Sequence, residues 1–112
     1  DVSMTDTISF DDFQKMDLRT ATITDVEDHP NADKLYVLQI DVGDETKQSC
    51  AGLKEHFEKD ELVGRQVIVV NNLETSELRG KKSECMLLAV DAEDEVLPLQ
   101  VGKQVENGLE VR

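Results

Sequence analysis

Arg79, Lys81 and Lys82 fall within four positions, in the stretch LRGKKSECM (Leu78–Met86). Three cations so close together attract phosphate or another anion, because each gains both charge and hydrogen bonds from such a ligand. The chain around them is strongly acidic, with 25 Asp and Glu against 12 Lys and Arg and a formal net charge of -13. A quarter of the positive charge therefore sits beside one short turn. We read the cluster as an anion-binding rim, against the alternative of a solvated hairpin tip. Arg19, beside Asp17, reads instead as a structural ion pair. His29, His56, Cys50 and Cys85 have no ligand spacing for a metal, and no third residue orients a Cys–His pair for nucleophilic attack. The six glycines are scattered, so there is no phosphate-cradling loop. No enzyme, metal or cofactor is expected.

The 112 residues suit one domain with an aliphatic core, since only 4% are aromatic and none is Trp. The longest apolar runs, Val67–Val70 and Met86–Val90, are too short to span a bilayer, and no signal peptide is evident. Met4 is a candidate start, and residues 1–8 are expected to be disordered or vector-derived. Cys50 and Cys85 read as buried free thiols in a reducing cytosol. The acidity has two readings. Either the ligand is not a polyanion, or the surface is adapted to high salt, where the Debye length falls to about 3 Å and distant repulsion vanishes. Acids outnumber bases along nearly the whole chain, which favours the second.

The elements that must position these residues are short. Ser9–Met16 reads as a helical turn capped by Ser9, with Phe10 and Phe13 on one face. Strands are expected over Leu18–Glu27, over Lys34–Val42 with Tyr36, Leu38, Ile40 and Val42 on one face, and over Thr46–Leu53. Asp28–Asp33 and Gly43–Glu45 are the turns between them. Lys54–Gly64 breaks the alternation and suits one or two turns of helix with a glycine stop. Strands resume over Arg65–Leu73 and Ser83–Asp91, with short strands in EVLPLQV, kept at an edge by Pro98, and in LEV. Five strands with a helix between the third and fourth predict an all-β, five-stranded Greek-key barrel, the OB-fold, whose second and third strands and nearby loops bind oligonucleotides or oligosaccharides.

FQKMDLRTATITDVEDHPNADKLYVLQIDVGDE, CAGL, ELVGRQVIVVNNL and LRGKKSECMLLA occur in this order. Together they resemble the tRNA-binding OB domain found at the C-terminus of some methionyl-tRNA synthetases, in a stand-alone structure-specific tRNA-binding protein and in endothelial monocyte-activating polypeptide. The resemblance runs from about Phe13 to the C-terminus. It implies a non-catalytic cytoplasmic module that binds tRNA by shape at its elbow or outer corner, with little sequence preference. It also implies a homodimer in stand-alone members, or association with an aminoacyl-tRNA synthetase. The positions it marks are Asn31, Lys34, Ser83 and Met86, with Arg79 and Lys81 nearby. Lys34 suits phosphate, Asn31 and Ser83 a sugar, phosphate or base edge, and Met86 a base surface. Asn31 is also explained by its turn, Lys34 by exposure beside Asp33, and Met86 by the core.

This sequence departs from the pattern at three places. Cys85 stands where the family has Gly before the signature Met, Glu74 follows Asn–Leu where Lys is common, and Glu84 puts negative charge inside the contact strand. A related branch, the CsaA-type export chaperone, binds unfolded or presecretory polypeptide on the same fold and is the alternative reading. Apolar Leu97, Leu99 and Val101 mark the C-terminal strands as the place to seek a dimer.

Overall fold

The computed structural model describes residues 6–112; the expectation for residues 1–5 lies outside it. Asp6–Ile8 run exposed into helix α1 (Phe10–Gln14), whose first turn Ser9 caps by accepting from the Asp12 amide at 3.0 Å. The Phe10 and Phe13 rings stack at 6.4 Å, yet the helix buries no residue.

Strands β1 (Leu18–Asp28), β2 (Tyr36–Asp41), β3 (Thr46–Ala51), β4 (Gln66–Val70) and β7 (Met86–Leu87) form one antiparallel sheet in the order β3-β2-β1-β4-β7. Helix α2 (Lys59–Leu62) lies between β3 and β4, as expected, and Gly64, at φ +88°, ends it. The eleven residues of β1 serve two neighbours: Leu18–Thr22 pair with β4, and Thr22–Asp28 with β2, across a register shift between Ile23 and Asp25. That bend curls the sheet. The barrel closes where β3 meets Glu84–Cys85, just before β7, through one backbone bond and two that use side chains. The Glu84 amide donates to Gln48 O at 2.7 Å, the Gln48 amide donates to Glu84 Oε1 at 2.9 Å, and Ser49 Oγ donates to Cys85 O at 2.8 Å.

Ala21, Ile23, Leu38, Ile40, Val42, Leu62, Val67 and Val69 are fully buried, so the core is aliphatic as the composition implied. The all-β barrel stands, but one boundary does not. Ser83–Asp91 is not a continuous strand. It is divided among β6 (Lys81–Ser83), β7 and β8 (Ala89–Ala92). Cys85 must turn inward and Glu84 must face β3 to close the barrel, which leaves Glu84–Cys85 unable to continue the ladder. β6 pairs with β5 (Ser76–Leu78), and β8 with β9 (Glu95–Pro98); the latter ribbon keeps an open edge at β9. β10 (Glu110–Val111) adds to β1 at Leu18–Arg19.

Candidate functional site

The β5–β6 hairpin stands off the barrel and carries the basic cluster. Leu78 pairs with Lys81 across a two-residue loop, Arg79–Gly80, in which both residues have positive φ, 53° and 93°. Loops of this kind match the twist of a hairpin, and they favour Asn or Gly because a β-carbon at positive φ costs about 1 kcal/mol. Arg79 therefore carries strain, and the loop after β1 holds it there. Asn31 Nδ2 donates to Arg79 O at 3.1 Å, and Arg79 Nη1 donates to Asn31 O at 3.4 Å. Beneath them His29 is buried. Its Nε2 donates to Leu78 O at 2.8 Å, and its Nδ1 accepts from the Asn31 amide at 2.9 Å. A carbonyl can only accept and an amide can only donate, so this network assigns the neutral Nε2–H tautomer.

The two segments, 48 residues apart in sequence, enclose an open cleft of about 400 Å³ lined by Asn31, Asp33, Lys34 and Arg79. Lys34 and Arg79 are exposed at its rim, and Asn31 keeps Oδ1 free to accept. Lys81 is half-buried on the side of Cys50, whose thiol burial pushes up while the Lys81 ammonium pulls it back. Lys82 is exposed but faces Glu77 in register, so part of its field is cancelled.

Ser83 is placed differently from the others. Its Oγ accepts from the Cys50 amide at 3.1 Å and donates to Cys85 O at 3.5 Å, so its hydrogen bonds already tie β6 to β3. Met86 is 46% exposed, as a base-contacting side chain requires. It lines a separate groove of about 300 Å³ with Cys50, Leu53, Leu87 and Val96. The seven expected residues thus divide: Asn31, Lys34 and Arg79 share the cleft, Lys81 and Lys82 continue along the hairpin, and Ser83 and Met86 belong to the β3–β7 side.

Two of the sequence departures are explained. Cys85 points into the core at 1% exposure, and burial pushes its thiol up to about 11, so it is an inert packing residue. Cys50 is only half-buried, against the expectation for both thiols. Glu84 spends its carboxylate on the Gln48 amide. Sequence reasoning missed His29 as a site residue and took it for turn chemistry, because its partners are backbone groups without a sequence signature.

A second cleft, about 600 Å³, lies at the other end of the barrel and includes Asp17, Arg19, Asp44 and Glu110. Arg19 was read as a structural ion pair and is one. Its Nε donates to both Asp17 oxygens at 3.1 Å, and Nη1 to Asp44 at 3.3 Å. Bonds from Arg19 first and Asn71 second hold the Asp17 carboxyl below its ordinary range. Lys15, Lys54 and Lys59 are also paired, the last two both with Asp28. Among the described residues, no carboxylate oxygen lies within 4.0 Å of Lys34, Arg79, Lys81 or Lys82. Lys47, Arg65, Lys103 and Arg112 likewise lack a carboxylate partner among the described residues, so what sets Lys34, Arg79, Lys81 and Lys82 apart is their grouping on the hairpin and the loop that faces it.

A family model described as a putative tRNA binding domain matches residues 18–110. The methionine–tRNA ligase of Thermococcus onnurineus is 49% identical over 105 residues, covering 94% of this chain and 14% of that protein. The methionine–tRNA ligase of Thermotoga maritima is 42% identical over 104 residues, covering 93% of this chain and 16% of that protein. The chain thus spans a small part of the curated relatives it matches. Among solved structures, a MetRS related protein from Pyrococcus horikoshii aligns with a TM-score of 0.88 at 27% identity, covering 96% of this chain and 99% of that one. The chaperone CsaA of Bacillus anthracis aligns with a TM-score of 0.88 at 31% identity, covering 96% and 100%.

Proposed function

The chain belongs to the tRNA-binding domain family, and on that premise we propose that it holds tRNA by shape, at the elbow or outer corner, with little sequence preference. The observation that carries this reading is the grouping of Lys34, Arg79, Lys81 and Lys82, none with a carboxylate partner among the described residues, on one hairpin and the loop facing it in a chain of formal charge -13. Lys34 and Arg79 take backbone phosphates from the two sides of the cleft, and Lys81 extends the track along the hairpin. Asn31 Oδ1 accepts from a ribose hydroxyl, which reads RNA rather than DNA. Met86 lies against a base, and Ser83 ties the hairpin to β3 beside it. Because the overall field repels a polyanion, capture is short-range. Added salt relieves that repulsion while it weakens each contact, so the salt dependence is shallower than the number of contacts alone implies.

The module works in the cytoplasm as a free homodimer or tethered to an aminoacyl-tRNA synthetase, where it raises the local tRNA concentration. The β9 edge, open among the described residues, and the segment after it, with Leu97, Leu99 and Val101 at 43, 38 and 37% exposure, form the proposed dimer surface. A monomeric mass at micromolar concentration in high salt contradicts the dimer.

A second reading is a CsaA-type chaperone that binds unfolded or presecretory polypeptide, favoured by the apolar Met86 groove and by the chaperone structures of the same fold. The test is binding of unfractionated tRNA and of an unfolded polypeptide from low to molar salt, with folding monitored throughout. Binding of tRNA that weakens with salt supports the first reading. A folded protein that ignores tRNA at every salt and retains polypeptide at high salt replaces it with the second.

A further inference from the structure

We propose that His29 is the positioning residue of the cleft. Its buried imidazole fixes the loop that carries Lys34 against the hairpin that carries Arg79, and so sets the spacing of the two cations. The proposal rests on the tRNA-binding reading and adds a residue that never touches the RNA.

The hairpin needs such an anchor. It pairs only with itself, every residue of β5 is exposed, and a lone two-stranded hairpin is marginal in water. Its far end is held to β3 by the Ser83–Cys50 bond and by Gln48 Nε2, which donates to Lys82 O at 2.9 Å. Near its tip the Cys50 thiol gives Lys81 O only a long bond of 3.9 Å, and among the described residues Arg79–Gly80 themselves are held by the loop. Three ties join the two. Two of them, Asn31 Nδ2 to Arg79 O and Arg79 Nη1 to Asn31 O, are exposed, and water competes for them. The third runs through His29, which is 5% exposed and uses both ring nitrogens. One nitrogen grips the peptide just before the strained Arg79, and the other grips the peptide of Asn31. The ring therefore connects the two backbones that present the site. Preformed spacing lowers the ordering cost that binding must overcome.

His29→Phe keeps a ring of similar size and removes both bonds. His29→Gln keeps one donor and one acceptor. The experiment measures the affinity of unfractionated tRNA, the slope of log affinity against log salt, and the thermal midpoint, for both variants and the native protein. The expected result is a folded His29→Phe protein with affinity reduced about tenfold and a salt slope shallower by roughly one, as for a lost phosphate contact. His29→Gln recovers most of both. If His29→Phe does not fold, His29→Asn is compared with His29→Gln; the shorter amide cannot span both partners and is expected to bind more weakly. Native affinity and slope in a folded His29→Phe, or in His29→Asn, overturn the proposal while tRNA binding stands. Absence of tRNA binding by the native protein removes the reading beneath it.

Discussion

The two ends of the barrel use similar residues in opposite ways. At one end Arg19 sits in the larger cleft, but Asp17 and Asp44 hold its guanidinium, and three acids line that cleft against one base. At the other end Lys34 and Arg79 border a smaller cleft, and neither has a carboxylate partner among the described residues. Size does not separate the two clefts; the pairing of the cations in them does. The Arg19 end is also where the chain is clasped. Asn72 Oδ1 accepts from the Asp17 amide, Asn72 Nδ2 donates to Lys15 O, and Asn71 Nδ2 donates to Asp17 Oδ2. The C-terminal segment docks beside it through Gly108, whose amide donates to Thr20 O at 2.7 Å. One end is clasped by internal bonds, and the other is the proposed binding end.

That division can be broken from either side. The largest effect is expected at Gly43, where φ is +106° and an added β-carbon would lie 2.8 Å from Gly108 Cα. Gly43→Ala is expected to cost about 3 kcal/mol in denaturant unfolding, through backbone strain and loss of the clasp, and to leave the tRNA affinity of the folded protein unchanged. Lys34→Ala/Lys81→Ala should do the reverse. It lowers tRNA affinity by about 2 kcal/mol, roughly thirtyfold, with unfolding stability unchanged within about 0.5 kcal/mol.

Arg19→Ala should reduce stability by about 1 kcal/mol, because the Arg19–Asp17 pair is partly exposed and screened, and should not weaken tRNA binding. Its pH dependence is specific. The Asp17 carboxyl is held below its ordinary 3.8, so its contribution is present above that value and is lost as pH falls through the lower folded value. In the variant the folded and unfolded values of Asp17 draw together, so that acid limb should shrink to the share left by Asn71, which unfolding curves below pH 3.8 would show. Lys82→Ala carries the smallest effect, about twofold in affinity, because Glu77 opposite already offsets its charge.

Much of this was legible in the sequence. Alternation in KLYVLQIDV marked the inward face of β2, and the glycine at 64 marked the helix stop. The opposition of Arg79, Lys81 and Lys82 to the global charge marks the hairpin in the sequence itself. Arg19 beside Asp17 declared its own pairing. What remained hidden depended on contacts between distant segments. Ser83–Asp91 reads as one strand because its apolar run is continuous, and only barrel closure by Glu84 and Cys85 divides it. The bond from the Cys50 amide to the Ser83 hydroxyl joins segments 33 residues apart, so no local pattern announces it. His29 reads as the residue before a proline until Leu78 O, 49 residues away, is found on its ring.

The most direct test of the comparison is the salt dependence of tRNA affinity for the native protein, Lys34→Ala/Lys81→Ala and Arg19→Ala, measured side by side. The predicted result is a slope shallower by about one to two in the rim variant and unchanged in Arg19→Ala. Equal losses in the two variants, or a native slope in the rim variant, would contradict the account: the unpaired cations would then not be the ones that meet the RNA.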